Sequence, residues 1–202
     1  MTESSPPTEW PAPAPMAGEL MIIPLTSQIF DLDLAAYRSS PKAISAHSAG
    51  RWPGEDLSRD EARRLMALHE KEHAAAEAYA YAILDPDGTR ELGCVYLRRL
   101  SAFLDRTGTS FDTAAIEPNR TAIVTFWLID DQKERPCTSL VLSSLRRWLH
   151  RWRAADLVYR CLPGEVASVA ALAEATGLCA LIASGQELPY LWFADQATTP
   201  VD

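Results

Sequence analysis

Two stretches separated by a tight turn constrain the fold more than any other part of the sequence. In residues 78–84 (AYAYAIL), large side chains alternate with alanine, which is the period-2 pattern of a β-strand. The turn signal DPDG follows at 85–88, and ELGCVYL at 91–97 has the composition of a returning strand. Residues 78–97 therefore predict a β-hairpin, and its alanine face would let a helix approach closely.

The second half of the chain predicts a parallel crossover. TAIVTFWLI (121–129) is apolar on both faces, as in a strand buried between two layers. A helix is predicted at about 137–152, and DLVYRCL (156–162) is a further strand. A strand, helix, strand unit of this length joins two parallel strands by a right-handed crossover.

Further elements complete a mixed architecture. They are a strand at 20–25, two short helices divided at Pro41, a helix that begins with a capping box of Ser58 and Glu61 and ends near 76, a helix at 164–177, and two final strands. The predicted fold class is α/β (α+β mixed sheet): a central, mostly antiparallel sheet with one parallel crossover and helices on both faces. We predict that the connection 98–119 lies outside this sheet.

Length, charge and cysteine usage limit the class of protein. The 202 residues, 48% of them hydrophobic, suit a single domain, which we place at 19–196 after a disordered Pro-rich tail at 1–18. The formal charge of −8 argues against nucleic acid and membrane partners. Four widely spaced cysteines, no secretory signal pattern and no long apolar run predict a soluble, cytoplasmic protein with reduced thiols.

A metal-ligand motif occurs in the first long helix. Residues 69–73 have the H-E-x-x-H spacing of zinc peptidases. A catalytic zinc needs a third protein ligand, but the extended motif positions hold Ala76 and Tyr79, and Glu91 lies in the hairpin. We therefore predict no metal site. His69 faces inward on the helical wheel, which fits either a buried core histidine or a general base that lines a cleft.

The order of the elements resembles a known family. EAYAYAILDPDGTRELGCVYL, then TAIVTFWLIDD, a tryptophan-rich helix, and VYRCLPGEVASVAALAEATGL resemble the core of the GNAT superfamily of N-acetyltransferases, over about 20–195. The resemblance implies a GNAT-like acyl-CoA N-acyltransferase fold. It also implies transfer of an acetyl or other acyl group from acetyl-CoA to an amine, either a small molecule or a protein amino group. Acetyl-CoA would lie where strands 121–129 and 156–162 splay apart.

The resemblance also implies where the cofactor-binding residues lie. The diphosphate would meet the start of the helix near Cys137, where backbone N–H groups form an anion site. The family's Q/R-x-x-G-x-G/A loop is matched at Gln132, whereas Arg135 and Cys137 stand at its small-residue positions and Pro136 removes one N–H donor. The implied cofactor-binding residues are Leu128, Ile129, Arg135, Cys137, Thr138, Ser139 and Ser168.

The helix near the C-terminus allows two alignments with the family. Counting back from Gly177, one alignment places Val166 at a cofactor-contacting asparagine and Ala173 at the tyrosine general acid. The other matches Ser168 and places Glu165 at the asparagine. Neither alignment supplies the tyrosine, so the catalytic acid stays unassigned.

These departures motivate a second hypothesis from a different class. A loop without glycine, acidic residues around it and the missing tyrosine all fall on the presumed cofactor site. The alternative function is a catalytically silent GNAT-fold module that binds a ligand or a protein, as a homodimer. Binding of acetyl-CoA distinguishes the two hypotheses.

Overall fold

The computed structural model describes residues 10–54, 56–113, 116–131, 135–152 and 156–195. The strands are β1 (Met21–Pro24), β2 (Ala78–Leu84), β3 (Glu91–Arg99), β4 (Ser110–Phe111), β5 (Thr121–Leu128), β6 (Asp156–Cys161), β7 (Leu178–Leu181), β8 (Ala183–Ser184) and β9 (Leu191–Asp195). The helices are α1 (Phe30–Arg38), α2 (Pro41–Ser48), α3 (Arg59–Ala74), α4 (Leu100–Thr107), α5 (Arg135–His150) and α6 (Val166–Glu174). Within those ranges, no helix is both long enough and apolar enough to cross a membrane.

Seven strands form the central sheet, in the order β1-β2-β3-β5-β6-β9-β7. Neighbouring strands are antiparallel, except that β5 and β6 are parallel. Helix α5 connects this parallel pair. The mixed sheet, the β2–β3 hairpin and the single parallel crossover are therefore confirmed.

The connection between β3 and β5 contains elements that the sequence did not predict. Helix α4 buries Leu100 and Phe103 against the sheet, because these residues are three apart and share one helical face. Strand β4 pairs with β8 in a separate two-stranded sheet. The connection lies outside the central sheet, as predicted, but it is partly helical.

Side chains of β2 alternate between two cores. Tyr79 and Tyr81 pack in the core beneath α5, and Ala80 and Ala82 pack in the core beneath α1, α2 and α3. The small alanines allow α3 to lie close to the strand. That helix begins at the predicted capping box, in which the Ser58 hydroxyl accepts from the Glu61 N–H and the Glu61 carboxylate accepts from the Ser58 N–H.

Residues 10–17, here called the N-terminal strap, pack on the α5 face of the sheet. The Trp10 side chain is buried, and Met16 forms a β-bridge with Ile22. Strap carbonyl groups accept hydrogen bonds from four core side chains, in the pairs Tyr79 to Trp10, Trp152 to Pro11, Tyr81 to Pro13 and Trp148 to Ala14.

The predicted disorder through residue 18 is therefore wrong for the strap. Proline cannot donate a backbone hydrogen bond, but its carbonyl still accepts one. Buried tyrosine and tryptophan side chains need partners for their O–H and N–H groups. The strap supplies these acceptors, so a proline-rich composition is compatible with an ordered segment here. Residues 1–9 lie outside the described ranges.

Gly93 allows β3 to approach the end of β5 very closely. The hairpin register shifts between Ile83 and Leu84, so β3 carries a bulge beside this glycine. Gly93 has a φ of +149°, and a Cβ there would lie 2.0 Å from the carbonyl oxygen of Trp127. No side chain fits at that distance. The glycine therefore fixes the position of the last residues of β5.

Candidate active site

Strands β5 and β6 diverge in the middle of the sheet. They pair from Thr121 and Asp156 up to Val124 and Tyr159. Beyond that point β5 is hydrogen-bonded to β3, and β6 is hydrogen-bonded to β9. In the described part of the chain, no strand covers the β6 side of β5 after Val124. Backbone N–H and C=O groups at this edge are available to a ligand.

A cleft of about 600 Å³ opens where the strands diverge. Helix α2 contributes one wall, and the start of α6 contributes another. Most of the lining side chains are small or apolar, which leaves room for an extended ligand, and Lys42 and Glu165 are charged. The lining residues are Lys42, Ala43, Ala46, Trp127, Leu128, Thr138, Gly164, Glu165, Val166, Ala167, Ser168 and Ala170.

Two helices begin at this cleft. Thr138, in the first turn of α5, is buried against it, and Val166 is the first residue of α6. The N–H groups in the first turn of a helix have no acceptor within the helix, and the helix dipole attracts negative charge there. Both helix starts therefore favour an anionic or carbonyl group in the cleft, although Pro136 removes one donor from α5.

The structure brings three of the predicted cofactor-binding residues together. Leu128, Thr138 and Ser168 all line the cleft. Ile129 is not among the lining residues and is buried in the core beneath α1, α2 and α3. Its contact with the cofactor stays a prediction.

The side chains of the other predicted cofactor-binding residues are not seen to line the cleft. Cys137 and Ser139 lie in the first turns of α5, partly buried, and are not among the side chains that line the cleft. Arg135 begins α5, but its side chain lies outside the described part of the structure, as does Gln132. The first turn of α5 would therefore contribute to cofactor binding through its backbone N–H groups.

A histidine that sequence reasoning missed lies beside the cleft. His47, on α2, has its Nδ1 atom 2.7 Å from Oε1 of Glu165, and both side chains are only 7% exposed. The second carboxylate oxygen of Glu165 accepts a hydrogen bond from the Leu162 N–H at 2.6 Å. Glu165 therefore fixes the orientation of the His47 ring. No sequence signal links two residues 118 positions apart.

Aromatic side chains surround this pair. The Tyr96 ring stacks beside His47 at 6.2 Å between centroids, and Trp52 packs edge-on against both rings. The Tyr96 hydroxyl accepts a hydrogen bond from Nε1 of Trp127, which lines the cleft. Burial raises the pKa of Tyr96 well above its usual range, and the neighbouring Cys94 adds to the effect. Tyr96 therefore stays protonated and acts as a polar, uncharged wall.

His69, the predicted candidate base, contacts Tyr96 but does not line the cleft. Its ring centroid lies 5.7 Å from that of Tyr96, and its Nδ1 atom is 3.8 Å from a carboxylate oxygen of Glu72. Burial lowers the pKa of His69, so the ring is neutral near pH 7. His73 packs on Tyr79 and Tyr81 instead. The two histidines of the motif thus lie in different surroundings.

Within the described residues, one group of three side chains has the atoms to hold a metal ion, and it does not include the predicted motif. The ligand atoms of Asp33, Glu91 and Cys94 all lie within 4.8 Å of one another. Burial raises the pKa of Asp33 to about 6, and burial and the Asp33 charge raise the pKa of Glu91 well above its usual range. Protonated carboxyl groups are poor metal ligands, so we interpret this group as two carboxyls that share a proton.

We expect Glu91→Gln to stabilise the protein at high pH. The folded state holds protons on Asp33 and Glu91 more tightly than the unfolded chain does. The contribution of Asp33 is therefore complete at low pH and is lost as the pH rises from 3.8, its ordinary pKa, through about 6, and the contribution of Glu91 is lost in the same direction. Removing one carboxyl should raise the free energy of unfolding at pH 8 by about 2 kcal/mol. Denaturant unfolding between pH 5 and pH 8 measures the effect.

The control for this experiment is Asp105→Asn, which neutralises an exposed carboxylate on α4. It should leave the pH dependence of the parent protein unchanged. Equal pH dependence in Glu91→Gln and the parent would contradict the shared-proton interpretation.

The architecture matches solved structures of one class of enzyme. RimL, a ribosomal L7/L12 alpha-N-protein acetyltransferase in complex with coenzyme A, superposes with a TM-score of 0.64 and 16% identity, over 89% of this chain and 95% of that chain. The GNAT domain of S. lividans PAT gives 0.61 and 17%, over 92% and 98%. Mycobacterium smegmatis RimJ in complex with CoA-disulfide gives 0.62 and 12%, over 94% and 88%.

These superpositions define the class: the chain has the fold of the GNAT N-acetyltransferases. Agreement over nine tenths of the chain at such low identity establishes the fold through topology rather than through sequence. No protein-family model matches the sequence, and no curated protein matches it.

Proposed function

We propose that this protein is an N-acetyltransferase, which transfers an acetyl group from acetyl-CoA to an amino group. The observation that carries the proposal is the cleft between the diverging β5 and β6. The cleft is lined by the end of β5, by α2 and by the starts of α5 and α6, so a donor that binds there lies beside the uncovered backbone edge of β5.

The residues of the cleft fit coenzyme A. The uncovered edge of β5 after Val124 offers backbone groups to the amides of the pantetheine arm, and the small side chains of α2 and α6 leave space for it. The start of α5 offers backbone N–H groups, that of Cys137 among them, to a diphosphate. Acetyl-CoA supplies an activated thioester, whose carbonyl carbon forms the new amide bond as the carbon–sulfur bond breaks.

His47 has the surroundings of a general base. An ammonium ion must lose a proton before its nitrogen can attack a carbonyl carbon, and the nitrogen loses a second proton as the amide forms, so a neighbouring group or water must accept them. Glu165 accepts the Nδ1–H of His47, which leaves the lone pair on Nε2. This tautomer assigns Nε2 as the proton acceptor. His69, the candidate from sequence, has no such partner at hydrogen-bond distance, since its Nδ1 atom lies 3.8 Å from Glu72.

The acceptor in this proposal is an amino group of a protein or peptide. RimL is described as an acetyltransferase of the ribosomal protein L7/L12, and this chain covers most of that structure. Three aromatic side chains, those of His47, Trp52 and Tyr96, pack against one another beside the cleft. In this proposal they form the wall on the acceptor side, and burial against their rings favours the neutral amine, which is the reactive form.

Binding of acetyl-CoA tests the proposal. We expect calorimetric titration to show a 1:1 complex. Thr138→Glu should abolish it, because the carboxylate places negative charge at the first turn of α5. Thr138 is buried, so Val166→Asp provides a second variant: Val166 is 73% exposed at the start of α6, where aspartate is tolerated. This variant should weaken binding about tenfold.

The matched control is Ile182→Asp, at a residue that is 75% exposed and lies between β7 and β8. Its affinity for acetyl-CoA should equal that of the parent protein. An absence of binding to the parent at millimolar acetyl-CoA would reject the enzyme proposal and favour the silent binding module.

A further inference from the structure

The face of the sheet opposite α5 carries an arginine at the point where β5 and β6 separate. Val124 and Tyr159 are the last paired residues, and both pack in the core beneath α5. Side chains alternate along a strand, so the next residues, Thr125 and Arg160, face the other way. They lie on the side from which an acceptor would approach, on either side of the opening.

Arg160 is held in an aromatic cage. Its guanidinium carbon lies 4.2 Å from the ring centroid of Tyr190, 5.0 Å from that of Phe103 and 5.6 Å from that of Trp192. These rings also pack edge-on against one another. Cation–π contacts with the three rings restrict the guanidinium and offset part of the free-energy cost of burying its charge. The arginine is therefore pre-positioned rather than free to move.

The cage leaves the hydrogen-bonding capacity of Arg160 unused. A guanidinium has five N–H donors, and among the described residues Arg160 forms no hydrogen bond and no ion pair. Burial is the main effect on Arg160 and lowers its pKa. The nearby Tyr190 hydroxyl and Glu165 act in the opposite direction, whereas the positive charges of Arg106 and Arg98 lower the pKa further. Glu165, the carboxylate among these neighbours, is already occupied by His47 and the Leu162 N–H.

The surroundings of Arg160 connect it to the proposed reaction. Glu165 lines the donor cleft and orients His47, and its charge also acts on Arg160. Arg51 and Glu187 form an ion pair of 2.8 Å between the loop after α2 and the loop before β9. Glu165 thus interacts both with His47, the proposed base, and with the caged Arg160.

We propose that Arg160 binds a carboxylate of the acceptor, so that the preferred acceptor is an amine with an acidic group close to it, as in a peptide whose second residue is aspartate or glutamate. The inference rests on the proposed function and names its substrate class. A planar guanidinium recognises a carboxylate through two parallel hydrogen bonds, which also fixes the orientation of the acceptor. The chain as a whole carries a charge of −8, so a local cation is needed to admit an acidic acceptor.

Two isosteric peptides test this proposal. Peptides that begin Ser-Asp and Ser-Asn, otherwise identical, are compared as acceptors of acetyl-CoA. We expect kcat/KM to be about tenfold to hundredfold higher for the Ser-Asp peptide. Arg160→Met should abolish the difference, and Arg160→Lys should restore part of it because the charge is kept. Free aspartate in the same assay distinguishes a small acidic acceptor from a peptide.

Arg120→Met is the matched control, since Arg120 is exposed at the opposite end of β5 from the cleft. Its preference between the two peptides should equal that of the parent protein. Peptide binding is also measured by calorimetry with coenzyme A present, so that the result does not depend on turnover.

The outcomes separate the two proposals. Transfer without a preference for the acidic peptide would overturn the role of Arg160 and leave the acetyltransferase function in place. Absence of transfer, together with a binding preference that Arg160→Met removes, would overturn the function and support the carboxylate site. Absence of both would overturn both.

Discussion

His47→Gln should lower kcat/KM for acetyl transfer by about 10²–10⁴-fold, which is the usual contribution of a positioned general base. Glutamine keeps a polar side chain near Glu165 but cannot accept a proton from the amine. The dissociation constant of acetyl-CoA should be unchanged, because His47 does not line the donor cleft. Steady-state kinetics and calorimetric titration of the same preparation measure the two quantities.

His69→Gln is the matched comparison, because both histidines pack against Tyr96. We expect His69→Gln to retain most of the activity. The opposite result, a large loss in His69→Gln and a small one in His47→Gln, would return the catalytic role to the histidine favoured by the sequence. Thermal unfolding of each variant separates a catalytic effect from a loss of folded protein.

Trp10→Ala should lower the free energy of unfolding by about 3–5 kcal/mol, the usual cost of truncating a buried aromatic residue. The Trp10 ring is 5% exposed. It stacks on Tyr79 at 6.0 Å and meets Trp152 edge-on at 4.9 Å, and the Arg99 guanidinium lies 4.5 Å from its centroid. Urea unfolding monitored by far-UV circular dichroism measures the change.

Trp52→Ala is the control, because Trp52 is 39% exposed and lies outside the strap. It should cost about 1 kcal/mol. If Trp10→Ala and Trp52→Ala were equally stable, the strap would not be part of the cooperative core. A chain that lacks residues 1–17 should then also unfold at the same urea concentration as the full chain.

Local patterns were enough to predict the scaffold. The alternation in β2, the turn before β3 and the apolar β5 each act over a few residues, and the structure confirms them. The capping box at Ser58 is similarly local. Helix α4 has only eight residues between polar flanks, so its two buried residues, Leu100 and Phe103, are too few to define a helical period in the sequence.

The site depends on contacts that no local pattern encodes. His47 and Glu165 meet because α2 and the turn before α6 both lie over the opening between β5 and β6. The composition of the strap predicts disorder because it reflects the strap alone. It carries no information on distant donors, such as the Trp148 and Trp152 side chains, that use the strap carbonyl groups as acceptors. The order of strands and helices resembles that of the GNAT superfamily, and this resemblance indicates where the cleft lies. It does not indicate which side chains face the acceptor.

Gly93 also has a consequence for how this protein can change over evolutionary time. It lies outside the cleft wall, yet the contact of 2.0 Å that any Cβ would make with the Trp127 carbonyl means that every substitution separates β3 from β5. Trp127 and Leu128 would then move together with the floor of the cleft. Residues that touch a ligand can be exchanged one at a time as the ligand changes, but position 93 allows no such exchange. Among descendants that keep this cleft, the glycine should outlast the residues that bind the ligand.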